Sequence, residues 1–177
     1  MRAYVYRLSG AVTLDAGTYE GIEGDRSAIW QAAATVLLSS VATGIGATAW
    51  FHLTAGTVLA IAAIALTTWV AWATLVFQIG SRVLPSPATD TTLGELLRTT
   101  GFSAAPGLLQ VLALLPSIAA PIFALTTVWM FAAMVVAIRH ALDYTSTGRA
   151  IAVCGLAAGL CLVTAALIGL ALSTALS

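Results

Sequence analysis

The ionisable side chains of this sequence offer ion pairing and ligand recognition, and no catalytic constellation. Glu95 and Arg98 are three residues apart and Arg139 and Asp143 four, so each pair shares a helix face, and Arg149 follows closely. Together Glu95, Arg98, Arg139, Asp143 and Arg149 could line a pocket for a lipid headgroup, a small solute or a partner protein. The same residues, with Asp25, Tyr144 and Gln78, could instead form a self-satisfied, ion-paired belt that anchors helices at a membrane boundary. HExxH, GxSxG and P-loop patterns are missing from the sequence, and His52 and His140 are expected on opposite faces of a membrane. No catalytic residue, metal ligand or cofactor is assigned, and the chain reads as non-enzymatic.

The elements that must position these residues are membrane helices. Of 177 residues, 60% are hydrophobic and 8% charged, with a mean hydropathy of +1.00, against roughly 25% charged in a soluble domain. The formal net charge is zero and there is no lysine, so nothing suggests a grip on nucleic acid. Cys154 and Cys161 are seven residues apart in an apolar run with no metal-ligand spacing around them, and read as free thiols.

The stretch from Ser103 to Leu142 carries no charge until Arg139. At about 40 residues it would reach roughly 60 Å as one helix, twice the hydrocarbon thickness of about 30 Å. Pro116 and Pro121 each lack a backbone donor, so a break between them and a helical hairpin are expected. Residues 1–27 form an N-terminal segment of interfacial helices, in which Tyr4, Leu8 and Val12 share a face, Asp15 caps a second helix, and Tyr19 and Ile22 turn toward lipid. Residues 28–177 form one membrane domain with spans at about 28–50, 57–79, 102–116, 122–140 and 150–176. A capped interfacial helix, TLGELLRTT, leads into the third. The fold expected is all-α and polytopic. Gly155 and Gly159 in the last span make a GxxxG pattern suited to close helix packing.

With five spans, every arginine lies on one side. Arg2, Arg7 and Arg26 precede the first, Arg82 and Arg98 lie between the second and third, and Arg139 and Arg149 between the fourth and fifth. The positive-inside rule then puts the N-terminus in the cytosol and the C-terminus outside.

Three blocks, LDAGTYEGIEGDRSAIWQA, TLGELLRTTGFSAAPGLL and VVAIRHALDYTSTGRAIAV, resemble in order and spacing the bacterial branch of the YIP1 family. The resemblance covers about Leu14 to Val163. It implies five spans, a cytoplasmic N-terminus and a bacterial inner membrane. In eukaryotes, relatives associate with Rab GTPases and with each other. The function expected is association with other membrane proteins, with lipids or with a second copy. The alternative is a small oligomeric transporter or channel subunit, with the polar cluster at the mouth of a path.

Overall fold

The computed structural model describes residues 1–47, 54–87 and 89–176. Trp50 and His52, which the sequence puts at the turn between the first two spans, lie outside the described residues. The described chain is helical throughout: α1 (Arg2–Val12), α2 (Ala16–Gly24), α3 (Ala28–Ala47), α4 (Ala55–Gln78), α5 (Leu93–Phe102), α6 (Pro116–Ala141) and α7 (Thr147–Leu176). A five-residue π turn, Ile79–Val83, prolongs α4, and a 3-10 helix, Ala105–Leu114, follows α5.

Local chemistry sets the ends of these elements. Asp15 caps α2 by accepting from the Thr18 amide at 2.8 Å, and Thr54 caps α4 through the Thr57 amide. Thr92 and Glu95 form a capping box at the start of α5, in which the Glu95 carboxylate accepts from the Thr92 amide at 2.7 Å. Two helices end in Schellman motifs built on residues other than glycine. Beyond α1, Leu14 takes φ 61° while the Asp15 amide reaches the Gly10 carbonyl at 2.9 Å and the Leu14 amide that of Ala11. Beyond α6, Asp143 takes φ 50° while the Tyr144 amide reaches the Arg139 carbonyl at 2.8 Å and the Asp143 amide that of His140 at 2.9 Å. These two turns reverse the chain tightly and dock α2 and α7.

Neighbouring contacts fix the direction of each leg. Gly44 faces Val58 near one end of the α3–α4 pair, and Trp69 meets Gly101 beside Ala32 toward the other, so α3 and α4 are antiparallel. Ala32 lies by Gly101, Ser39 by Gly107 and Thr43 by Gln110, a nearly constant offset that makes α5 and the 3-10 helix run parallel to α3. Ser103 meets Met134, Gly107 meets Met130 and Gln110 meets Thr126, so α6 runs back against them. Helix α7 returns along α4, where Leu142 closes on Gly80.

Among the described residues, four helices are long and apolar enough to cross a membrane: α3, α4 with its π turn, α6, and α7 as far as Ser173. The segment expected as a third span is no long α-helix, because α5 ends at Phe102 and the path continues as a tighter 3-10 helix. The close fit of that helix between α3 and α6 explains the change. Gly46 and Gly107 let the backbones meet, and a Cβ on either would overlap the Gln110 carbonyl or the Ser39 hydroxyl. The break in the long apolar stretch falls at Leu115, which is extended, with Pro116 at the first position of α6. Proline is tolerated there, and Pro121 sits inside the helix instead of breaking it.

One cluster of buried side chains joins α4, α5, α6 and α7 through Val76, Leu96, Ile138, Leu142 and Val153. A second joins the N-terminal helices to α3, α5 and α6 through Tyr19, Ile22, Ala32 and Phe102, with Tyr4, Leu8 and Val12 packed on it. The shared face of Tyr4, Leu8 and Val12 is therefore real, but it meets protein. Tyr19 and Ile22, expected to face lipid, are fully buried against the bundle.

Candidate functional site

The polar side chains converge where α2 crosses the ends of α5 and α6. Arg98, on the buried face of α5, sends its guanidinium to the main-chain carbonyl of Glu23, Nε at 3.1 Å and Nη2 on the same oxygen. Its distance to the Glu95 carboxylate, 3.9 Å, is longer, because the capping box holds that carboxylate back over the first turn. The buried guanidinium of the site is thus engaged by a backbone carbonyl, which satisfies the C-terminal end of α2.

The Glu23 carboxyl is half-buried and is pushed up to about 7. Burial is the main cause, followed by the negative charges of Asp143 and Glu95, with Arg98 pulling the other way. One turn earlier, Glu20 stands 3.9 Å from Nδ1 of His140, and the Tyr19 ring stacks on the same imidazole with centroids 6.4 Å apart. The Tyr19 hydroxyl is buried without a hydrogen-bond partner, and burial pushes its pKa up, making it a weaker acid than an ordinary phenol. Asp143 joins from the left-handed turn after α6.

The structure brings Glu95, Arg98 and Asp143 to this place and directs Arg139 and Arg149 elsewhere. Arg139 donates to the Tyr144 carbonyl at 3.3 Å and the Thr147 hydroxyl at 3.2 Å, bracing the α6–α7 turn. Arg149 donates to the Pro85 carbonyl at 3.4 Å, and beside it the Tyr144 hydroxyl donates to the Leu84 carbonyl at 2.7 Å. These bonds tie the α6–α7 turn to the end of the α4 extension. Gly155 and Gly159 line a shallow groove of about 420 Å³ with Ile79 and Val83, and a Cβ added at either would meet nothing within 4 Å. Cys154 is buried and Cys161 exposed, both free, since α7 leaves the bundle between them.

Sequence reasoning places Glu20 and Glu23 on the water-facing side of α2 and His140 at the interface, and does not bring the three together at one place. The only available signal was the i, i+3 spacing of Glu20 and Glu23 on α2, which reads equally well as a solvated face. A second ionic contact holds α1. Arg7 donates to Asp25 at 2.6 Å and to Gln31 at 2.9 Å, while Ser27 and Arg7 hold the Asp25 carboxyl down at about 2. Deeper in the bundle the Gln110 amide donates to the Thr126 hydroxyl at 3.0 Å and its carbonyl accepts from Thr43, linking three legs. No group of three His, Cys, Asp or Glu side chains is placed to hold a metal ion among the described residues.

Four long apolar helices gathered around a short capped helix, with polar groups collected at one end, define a helical integral membrane protein. The chain belongs to the Yip1 family, matching the Yip1 domain over residues 15–168, so that α1 precedes the matched stretch. No curated protein and no solved structure matches the chain.

Proposed function

We propose that this protein is a non-enzymatic, five-span member of its family that acts by associating with other membrane proteins or with lipids, its N-terminus in the cytosol of a bacterial cell and its C-terminus outside. The observation that carries the reading is the state of α7. Its second half is clothed in Leu160, Leu162, Val163, Leu167 and Leu170, all more than half exposed, and its two small residues Gly155 and Gly159 are uncovered. Such a face needs lipid or another membrane protein against it, and small residues let a second helix approach closely.

The third crossing is composite. Ten residues of α5 at about 1.5 Å and ten of the 3-10 helix at about 2.0 Å span roughly 35 Å, enough for about 30 Å of hydrocarbon. That crossing keeps Arg7, Arg98, Arg139 and Arg149 at one end, which the positive-inside rule assigns to the cytosol. A solute path would need polar groups free to exchange partners, whereas the Gln110 amide is occupied on both atoms, and this favours association over transport.

Cross-linking in native membranes followed by recovery in mild detergent tests the association. A second copy, another membrane protein or retained lipid is expected. Repeated recovery of a bare monomer would overturn the reading. A reporter fused after Ser177 tests the topology separately, and cytosolic reactivity there would sink the five-span count.

A further inference from the structure

Of the four long helices, α4 has the smallest share of its length buried. Beside it runs a slot of about 430 Å³, bounded by α4 from Ile61 to Trp72, by Met130 and Met134 of α6, and by Val36 of α3 with Ala104 just beyond α5. Ile64 in its lining is 65% exposed, so the slot opens outward, to whatever surrounds the helices. The Trp69 indole donates to the Thr100 hydroxyl at 3.2 Å. Because α4 and α5 are antiparallel, Trp72 then stands one turn nearer the arginine-bearing end, level with Leu97 and Arg98. Ser103, also in the lining, donates to the Thr100 carbonyl at 2.6 Å and touches the Met134 sulfur at 3.6 Å. The Trp72 indole N–H differs from these groups: it is buried with no hydrogen-bond partner among the described residues. Such a donor costs stability unless an acceptor comes from outside the protein.

We infer that this slot binds one acyl chain of a glycerophospholipid from the arginine-bearing leaflet, with the ester carbonyl of that lipid accepting from Trp72. Length and width carry the inference. From Trp72 to Ile61, α4 advances roughly 16 Å at about 1.5 Å per residue, about half of a hydrocarbon layer of about 30 Å, so the slot is about as long as one leaflet is deep. Over that length about 430 Å³ leaves a cross-section of roughly 27 Å², about a third of what a helix about 10 Å across takes up. A second copy or another membrane protein can cover the slot but cannot enter it, whereas a single hydrocarbon chain fits. The lining suits that occupant, since an indole offers a flat apolar face with a donor at its edge and a thioether conforms to a flexible chain. Held by no hydrogen bond, the Trp72 ring is free to turn its N–H toward the slot, where an ester carbonyl supplies the missing acceptor. The inference rests on the lipid half of the function proposed above, and it uses a different face from Gly155 and Gly159, so the two can fail separately.

The test titrates the whole chain, in detergent micelles stripped of lipid, with dioleoyl phosphatidylcholine and counts bound lipids by native mass spectrometry. One molecule should bind well ahead of weaker, later ones. Trp72→Phe keeps an aromatic ring and removes the donor, and should weaken that first binding about fivefold. The diether analogue of the same lipid lacks the ester carbonyls. It should bind the parent about fivefold more weakly and lose nothing further in Trp72→Phe. Ala65→Phe fills the slot and should abolish the first binding, while Leu167→Phe, on the exposed part of α7, should leave it unchanged. Melting of each variant checks that it is folded, and if Ala65→Phe does not fold, Trp72→Phe and the diether lipid decide alone. Equal binding by the parent and the slot variants overturns the inference, and so does a diether lipid bound as tightly as the diester. Cross-linking of α7 to a second copy or another protein stands or falls apart from these results.

Discussion

Arg98 and Glu23 are 75 positions apart in sequence, and the guanidinium of the first donates through Nε at 3.1 Å to the main-chain carbonyl of the second. The bond joins an N-terminal helix to the start of the third leg, and it works because α5 is short and capped. The Thr92–Glu95 box fixes the first turn of α5, which sets the height at which Arg98 emerges one turn later.

Replacing Arg98 by alanine leaves the Glu23 carbonyl without its donor and three neighbouring carboxylates without their cation. A hydrogen bond from a charged group contributes about 1.5–3 kcal/mol, and Arg98→Ala is expected to cost that much. Arg149→Ala, which removes one exposed 3.4 Å bond to the Pro85 carbonyl, should change stability by no more than about 0.5 kcal/mol. Thermal unfolding of both variants in one detergent checks the order, and equal midpoints would contradict it.

Asp143→Gly should stabilise the bundle. The residue occupies the left-handed position of a Schellman motif, where glycine avoids the Cβ penalty, and its charge opposes the negative end of the α6 dipole. A gain of about 0.5–1 kcal/mol is expected from the backbone alone. The same detergent melting series measures it.

The long legs were legible in the sequence because they are apolar throughout, and the ends of α2 and α5 because Asp15 and Thr92 advertise caps. The 3-10 path was not legible. It follows from Gly46 and Gly107 allowing α3 and α6 to press on the segment from both sides, a property of three legs at once. Tyr19 and Ile22 misled for a similar reason: an apolar face next to acidic residues reads as lipid-facing until α5 and α6 are placed against it. The pocket was legible in part. Spacing along one helix found Glu95 with Arg98, but spacing says nothing of Glu23, which a 75-residue gap separates from its donor.

The Arg7–Asp25 contact should hold from neutral pH into acid and fail only at the acid extreme. Its carboxyl lies at about 2 when folded against 3.8 unperturbed, so the contribution is complete above about pH 4 and is lost only as pH falls through about 2. Labels at Ala3→Cys and Gly24→Cys should report one fixed separation from pH 8 down to pH 4. Asp25→Asn should broaden it at every pH.

Small residues at the crowded legs should differ sharply from those on α7. Gly107→Ala places a Cβ against the Ser39 hydroxyl and 2.9 Å from the Met130 sulfur, and overpacking of this kind costs about 1–3 kcal/mol. Gly155→Ala meets nothing within 4 Å and gains helix propensity, so it should be neutral or stabilising by up to about 1 kcal/mol. Melting of the two variants separates these outcomes. A bulkier Gly155→Leu that leaves melting unchanged but weakens cross-linking would tie this face to association.

Gln110→Leu removes the only amide that links α3, the 3-10 helix and α6 among the described contacts, yet its cost should be small. Thr43 also donates to the Ser39 carbonyl at 2.9 Å and Thr126 to the Ile122 carbonyl at 2.7 Å, so neither hydroxyl is left without a partner when the amide goes. Leucine has nearly the volume of glutamine and suits a site that is 4% exposed. Hydrogen bonds between membrane helices average about 0.6 kcal/mol, and a loss of that order is expected. A loss above about 2 kcal/mol would mean that the three groups act as one cooperative unit, which a double-mutant cycle of Gln110→Leu with Thr126→Val would then resolve.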